Sequence, residues 1–215
     1  MARTGPSALR ELTAMNRLRT ITVSLCCLPL ACAAFAQGDP KPLQIGDAAP
    51  AIEVSAWVKG QPVRELQKGT LYVFDFWATW CEPCNRSMPH LSEIARKYKG
   101  KVQVVGVDVR EKSAPGRALD DMVAVFVKAK GGDMDYNVCT DDAKKWMMTT
   151  WMAAAGEHGI PCAFVIDRDG RIADIVLGYG RGDHRVDDTI EQLLAGTFDY
   201  KASAKRHAEE VAKAK

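Results

Sequence analysis

Asp75-Phe76-Trp77-Ala78-Thr79-Trp80-Cys81-Glu82-Pro83-Cys84 is the stretch on which the fold turns. Its first residues complete a dense β-prone run, Leu71 to Trp77, that reads as a buried strand. Cys81-Glu82-Pro83 then opens a helix to about Lys99, which ends at Gly100 with basic residues in its last turn. Pro83 suits an early helical position, where its missing N–H costs nothing and its φ is preset.

Working outward, Ile52 to Val58 and Val63 to Leu66 flank Lys59-Gly60-Gln61-Pro62, which predicts an N-terminal β-hairpin. Val102 to Val109 reads as a second buried strand, and Leu119 to Lys130 as a helix stopped by Gly131-Gly132. Tyr136 to Cys139 is a short strand, followed by an Asp141-Asp142 cap and a helix through Ala155 and Gly156. Ala163 to Asp167 and Arg171 to Leu177 flank the Arg168-Asp169-Gly170 turn, which predicts an antiparallel pair. Arg185 to Leu194 makes a further helix, closed by Gly196. Strands alternating with helices and closing on a hairpin predict an α/β fold, a mixed central sheet covered on both faces.

The chemistry lies in the paired thiols. Disulfide exchange needs one thiol that ionises near neutral pH and a second close enough to resolve the mixed disulfide. A two-residue spacing on the first turn of a helix supplies both. The leading sulfur meets the unpaired N–H groups and the dipole, which favour thiolate, and the trailing sulfur lies one turn in. Cys81 is therefore the expected nucleophile and Cys84 the resolving thiol. Zinc would want a second thiol pair or a histidine at metal-binding spacing, and Cys139, Cys162, His90, His158, His184 and His207 form no such pattern along the sequence. Haem attachment would need His after Cys84, where Asn85 stands, and Phe74 and Ala78 occupy positions where a peroxiredoxin motif has Pro and Thr.

The stretch from Asp75 to Cys84 resembles the active-site strand and turn of the thioredoxin superfamily. The Ala78-Thr79-Trp80-Cys81 wording and the lead-in Ile45-Gly46-Asp47-Ala48-Ala49-Pro50 resemble its exported TlpA/ResA-like branch. Pro89 matches the proline inside the first thioredoxin helix, and Gly159-Ile160-Pro161 matches the family's cis-proline loop. The resemblance spans about residues 43–197. It implies a thioredoxin fold with an inserted strand-helix unit, and thiol–disulfide oxidoreductase activity without a cofactor. Pro161 would be cis and face Cys81, leaving the Ile160 backbone free for an extended substrate. Trp80, Pro83, Ile160 and Gly178 would rim an apolar patch for a partner's disulfide.

Asp75 is expected to act with the thiols. A carboxyl on a core strand is costly unless neutral or paired, so desolvation should raise its pKa and suit it to exchange a proton with Cys84. Many TlpA/ResA-like proteins have Asn here, so this chain departs toward ordinary thioredoxin. Ser87 stands where some relatives carry an acid. Together with Ile160 before the proline, Asp75 resembles reducing thioredoxins, and Glu82-Pro83 is characteristic of several exported reductases. The expected partners are thiol and disulfide proteins, apocytochromes c among them by family analogy, and a membrane electron donor. A monomer is expected. The alternatives are a thioredoxin-fold copper carrier, or an oxidant or isomerase of protein thiols. The copper reading draws on the Trp146, Met147, Met148, Trp151 and Met152 cluster, whose spacing equally suits a helix face packed on the sheet.

Composition and ends set the context. The chain has 215 residues, 47% hydrophobic and 26% charged, with a net charge of +2, which offers no electrostatic case for nucleic acid. Arg17 and Arg19 precede an apolar run from Ile21 to Ala36 that closes on Ala34-Phe35-Ala36, so residues 1–36 read as a cleaved export signal, with Met15 as an alternative start. An uncleaved membrane anchor is the alternative, though the run is shorter than the ~20 apolar residues a span needs. A periplasmic or other extracytoplasmic location follows. Cys26, Cys27 and Cys32 leave with the signal, so the mature chain keeps Cys81, Cys84, Cys139 and Cys162. Residues 37–198 form the thioredoxin-like domain, and residues 199–215 a charged tail, solvated and helical or frayed. Cys162 is expected to fill core volume, and no Cys139–Cys162 bridge is expected.

Overall fold

The computed structural model describes residues 41–112, 116, 118–180 and 182–213. The signal segment, its two candidate starts and its three cysteines lie outside the described residues.

Six strands form one mixed sheet: β1 (Val54–Lys59), β2 (Leu71–Trp77), β3 (Val102–Asp108), β4 (Asn137–Asp141), β5 (Cys162–Ile166) and β6 (Ile172–Leu177), in the order β1-β4-β3-β2-β5-β6. β2, β3 and β4 run parallel, while β5 opposes β2, β6 opposes β5 and β1 opposes β4. The helices are α1 (Glu82–Lys97), α2 (Leu119–Lys130), α3 (Arg185–Ala195) and α4 (Tyr200–Lys213).

Every residue of β2 is buried, because the strand is central and covered on both faces. Leu71, Val73 and Trp77 pack with Met88, Leu91 and Ile94 of α1 and with Val186 and Ile190 of α3. Tyr72, Phe74 and Phe76 project to the opposite face, against Met147, Trp151 and Met152. Those last three occupy the expected helical segment, whose middle opens into a π-helical turn, Met148–Met152, before a 3-10 turn, Ala153–Ala155. Thr150 Oγ1 donates to the Trp146 carbonyl at 2.8 Å, and the indoles of Trp146 and Trp151 both donate to the Ala51 carbonyl. The segment is thus pinned to the chain that leads into β1.

The expected N-terminal hairpin is corrected. β1 forms, but Val63 to Leu66 is not a strand, and β1 pairs with the distant β4. The turn residues explain the outcome. Gly60 has φ +78°, and the Gln61 N–H donates to the Asn137 side chain at 2.9 Å instead of closing a hairpin ladder. A Cβ at Gly60 would overlap Asn137 Oδ1, so this turn is moulded to β4. The lead-in chain is fastened to the start of β6, with Gly46 N–H on the Ile172 carbonyl at 2.7 Å and Ala49 N–H on the Gly170 carbonyl at 2.9 Å.

The C-terminal charged segment is helical, and it is seated instead of free. Asp174 of β6 is fully buried and accepts from Thr189 (2.8 Å), Ser203 (2.8 Å) and Arg206 (2.6 Å), the last two from α4. The anchoring residues are polar, so hydropathy along the tail conceals the contact.

Candidate active site

β2 delivers the chain to the site. After Trp77 the backbone turns, the Cys81 N–H donates to the Ala78 carbonyl at 3.0 Å, and α1 begins. Cys81 is the residue before the first helical turn, and its sulfur accepts from the Cys84 N–H at 3.3 Å. The leading sulfur therefore sits among the unpaired N–H groups of the helix start, where thiolate is favoured. Cys81 and Cys84 are joined in a disulfide with Cα atoms 5.3 Å apart. Cys81 retains 3% exposure and Cys84 none, so substrate can approach only the leading sulfur. Ser87 donates to the Cys84 carbonyl at 2.9 Å, and α1 carries Pro89 within it.

The sheet register brings the second loop to the same end. Phe76 of β2 pairs with Cys162 of β5, so the Ile160–Pro161 segment lies beside the turn that carries Cys81. The Ile160–Pro161 peptide is cis. Gly178, at φ +63°, donates its N–H to the Pro161 carbonyl at 2.9 Å. Around this end Trp80 is 56% exposed, Pro83 and Gly178 are exposed, Ile160 is half-buried and Pro161 is buried. Trp80 donates from its indole to the Arg110 carbonyl at 3.3 Å, which holds the ring outward. The result is an apolar ledge with a backbone edge beside a disulfide.

Asp75 lies beneath, on the face of β2 that α1 covers, and is fully buried. Tyr179 donates a hydrogen bond to Asp75 Oδ1, while Oδ2 has no partner among the described residues. Burial pushes the carboxyl up to about 7, against the opposing effect of the Tyr179 hydroxyl. Burial and the Asp75 charge together push the Tyr136 hydroxyl up, and it too is buried without a partner among the described residues. Gly106, paired with Asp75 across β2 and β3, makes room for this group. A Cβ there would meet both the Trp77 indole nitrogen and the Tyr136 ring at 3.0 Å. Sequence reasoning found Asp75 but missed Tyr179, whose only advance signal was an aromatic residue directly following a strand and Gly178.

The other two thiols are separate from this chemistry. Cys139 and Cys162 are free and fully buried, and desolvation holds both well above the ordinary thiol range. They lie on β4 and β5, with β3 and β2 between, so the sheet separates them by roughly 14 Å, about twice what a disulfide spans.

A helix-borne vicinal thiol pair, a cis-proline loop and a mixed sheet define a thioredoxin-fold thiol–disulfide oxidoreductase. The chain belongs to the AhpC/TSA family, whose model matches residues 45–175, and within it to the ResA-like thiol–disulfide oxidoreductases. It is 32% identical over 143 residues to the thiol-disulfide oxidoreductase ResA of Bacillus thuringiensis, covering 65% of this chain and 73% of that protein. It is 29% identical over 171 residues to the thiol:disulfide interchange protein HelX of Rhodobacter capsulatus, covering 77% and 88%. Among solved structures, a thiol:disulfide interchange protein of Chlorobium tepidum superposes with a TM-score of 0.55 at 25% identity, covering 73% of this chain and 99% of that one.

Proposed function

We propose that the chain is an extracytoplasmic reductant of protein disulfides, with the Cys81–Cys84 pair above a buried Asp75, whose carboxyl burial pushes up to about 7, as the observation that carries the reading. In the dithiol form, the Cys81 thiolate attacks one sulfur of a substrate disulfide and expels the other as a thiolate, which takes a proton from water. The ionised Asp75 takes the proton of Cys84, whose thiolate attacks Cys81 Sγ and breaks the mixed disulfide, and the second substrate sulfur leaves as a thiol by taking up that proton. Two electrons pass to the substrate, and the protein is left as the disulfide. Asp75 suits this step because a carboxyl with pKa about 7 can take and return a proton near neutrality.

The apolar ledge of Trp80, Pro83, Ile160 and Gly178, with the backbone edge at Pro161, supports docking of an extended segment around the substrate cysteine. Return to the dithiol form requires a reductant, proposed to be a membrane electron donor, and apocytochromes c are proposed substrates. The protein acts as a monomer after cleavage following Ala36. No helix among the described residues is long and apolar enough to cross a membrane.

Equilibration with glutathione buffers, followed by alkylation of thiols, tests the direction. A potential near −270 mV, about that of thioredoxin, supports reduction, and one near −120 mV, about that of a strong oxidant, overturns it. Failure of Cys81 and Cys84 to titrate as one reversible couple removes the dithiol mechanism. Mass spectrometry of the exported protein should give Gln37 as its first residue.

A further inference from the structure

Away from the redox centre, the fold brings two histidines and a carboxylate together from distant parts of the chain. His90 lies on α1, His184 immediately precedes α3, and Asp187 sits in the first turn of α3. One ligating atom from each lies within 4.8 Å of the others. His90 Nε2 is 2.6 Å from Asp187 Oδ2, and the two imidazole rings stand 6.1 Å apart at 80°. His90 and His184 line a surface cleft that also presents Glu93 and Gly182.

We propose that His90, His184 and Asp187 form a site for a divalent cation of the zinc and copper range. Two neutral imidazoles and one carboxylate are the donor set those ions favour, leaving a position for water. Ligands bonded at about 2.0–2.1 Å around one tetrahedral ion stand roughly 3.3 Å apart, so the present spacing needs a contraction of at most about 1.5 Å. Exposed His184 can supply that movement by side-chain rotation. The His90–Asp187 pair opens as the ion enters between them, and the ion takes the place of the shared proton.

The surroundings of His90 favour an ion over a simple helix-to-helix pair. Its other ring nitrogen, Nδ1, is 3.6 Å from Glu93 Oε2, one turn along the same helix. At that distance Glu93 adds a negative charge beside the imidazole without hydrogen-bonding it, and that charge favours a cation at the cluster. Arg86, the one Lys or Arg side chain among the described residues that line the cleft, pairs with Glu82 at 3.2 Å. This site uses none of the cysteines, so it is independent of the redox reading.

The test titrates Zn²⁺, and separately Cu²⁺, into the full chain without a histidine tag. The chain is oxidised so that Cys81 and Cys84 are closed, then treated with N-ethylmaleimide to block other accessible thiols. Calorimetry should show one saturable equivalent, with Cu²⁺ tighter than Zn²⁺. His184→Ala removes an exposed side chain and should leave the fold unchanged, yet weaken binding by at least ~10-fold. His90→Gln should do the same, and NMR should show His90 and His184 shifting with Zn²⁺ while His158 does not. Absence of saturable binding, or equal affinity in His184→Ala and the parent, overturns the site.

Discussion

The Tyr179 hydroxyl, on the residue that follows the exposed Gly178, donates its hydrogen bond inward to Asp75, the sole carboxyl on β2. The site rim and its buried acid are therefore one continuous piece: Gly178 binds the Pro161 carbonyl, and the next residue holds Asp75. A hydroxyl that donates to the carboxylate favours its ionised form, while burial opposes ionisation and wins. The carboxyl is thereby placed where it can lose and regain a proton at working pH.

Removing the donor should move that balance in a known direction. In Tyr179→Phe the carboxylate loses its partner, so the Asp75 pKa rises above about 7. The acidic limb of the rate of disulfide exchange should shift to higher pH, with a cost of about 1 kcal/mol in stability from the lost bond. A pH–rate profile compared with the parent measures it, and an unmoved limb would separate Tyr179 from the acid.

Asp75→Asn tests the acid itself through stability. The folded pKa, about 7, lies above the ordinary 3.8, so between these values the native state holds more protons than the unfolded one. Parent stability should fall as pH rises through that window and level off above it. Roughly three pKa units at 1.36 kcal/mol each set a ceiling of about 4 kcal/mol. Asn cannot ionise, so Asp75→Asn should match the parent near pH 4 and exceed it at pH 8 by about 2–4 kcal/mol in urea unfolding. The same variant should exchange disulfides ~100-fold more slowly if the carboxyl carries the Cys84 proton.

The segment from Leu71 to Cys84 was readable because three local signals agree there: an unbroken buried strand, a turn, and a proline one residue into a helix between two cysteines. The parts that were not readable all depend on distant pairing. β1 looked like half of a hairpin because Lys59-Gly60-Gln61-Pro62 has turn composition, yet its partner is β4, and the Gly60 turn is shaped by Asn137. Tyr179 is 104 residues from Asp75, so nothing near either one announces the bond. His90 and His184 likewise share no sequence spacing and meet only because α1 and α3 cover the same face of the sheet.

The buried thiols give a sharp contrast with the redox pair. Cys139 and Cys162 have no exposure, and desolvation keeps both protonated well beyond neutral pH. Iodoacetamide at pH 8 should label Cys81 first after reduction and leave Cys139 and Cys162 unlabelled until the chain is unfolded. Peptide mapping reads this directly. Rapid native labelling of Cys162 would show that the β5 start opens in solution and would bring that thiol into the chemistry.

The seating of α4 makes the last prediction. Asp174 is a buried carboxyl on β6, beside the β5 strand that carries the Pro161 loop, and Arg206 is its only cationic contact among the described residues. Removing that guanidinium leaves a buried charge with two hydroxyl donors, Thr189 and Ser203. Hydrogen bonds to charged groups contribute about 1.5–3 kcal/mol, and Arg206 is partly exposed, so water recovers some of the loss. Arg206→Ala should therefore destabilise by about 1–2 kcal/mol, lowering Tm by a few degrees. Asp174→Asn in the Arg206→Ala background should return part of that stability, because the neutral amide no longer needs the cation. If Arg206→Ala unfolds with the parent, the C-terminal helix is a solvated appendage after all. If it is destabilised as expected, residues 199–213 belong to the domain that holds the redox site.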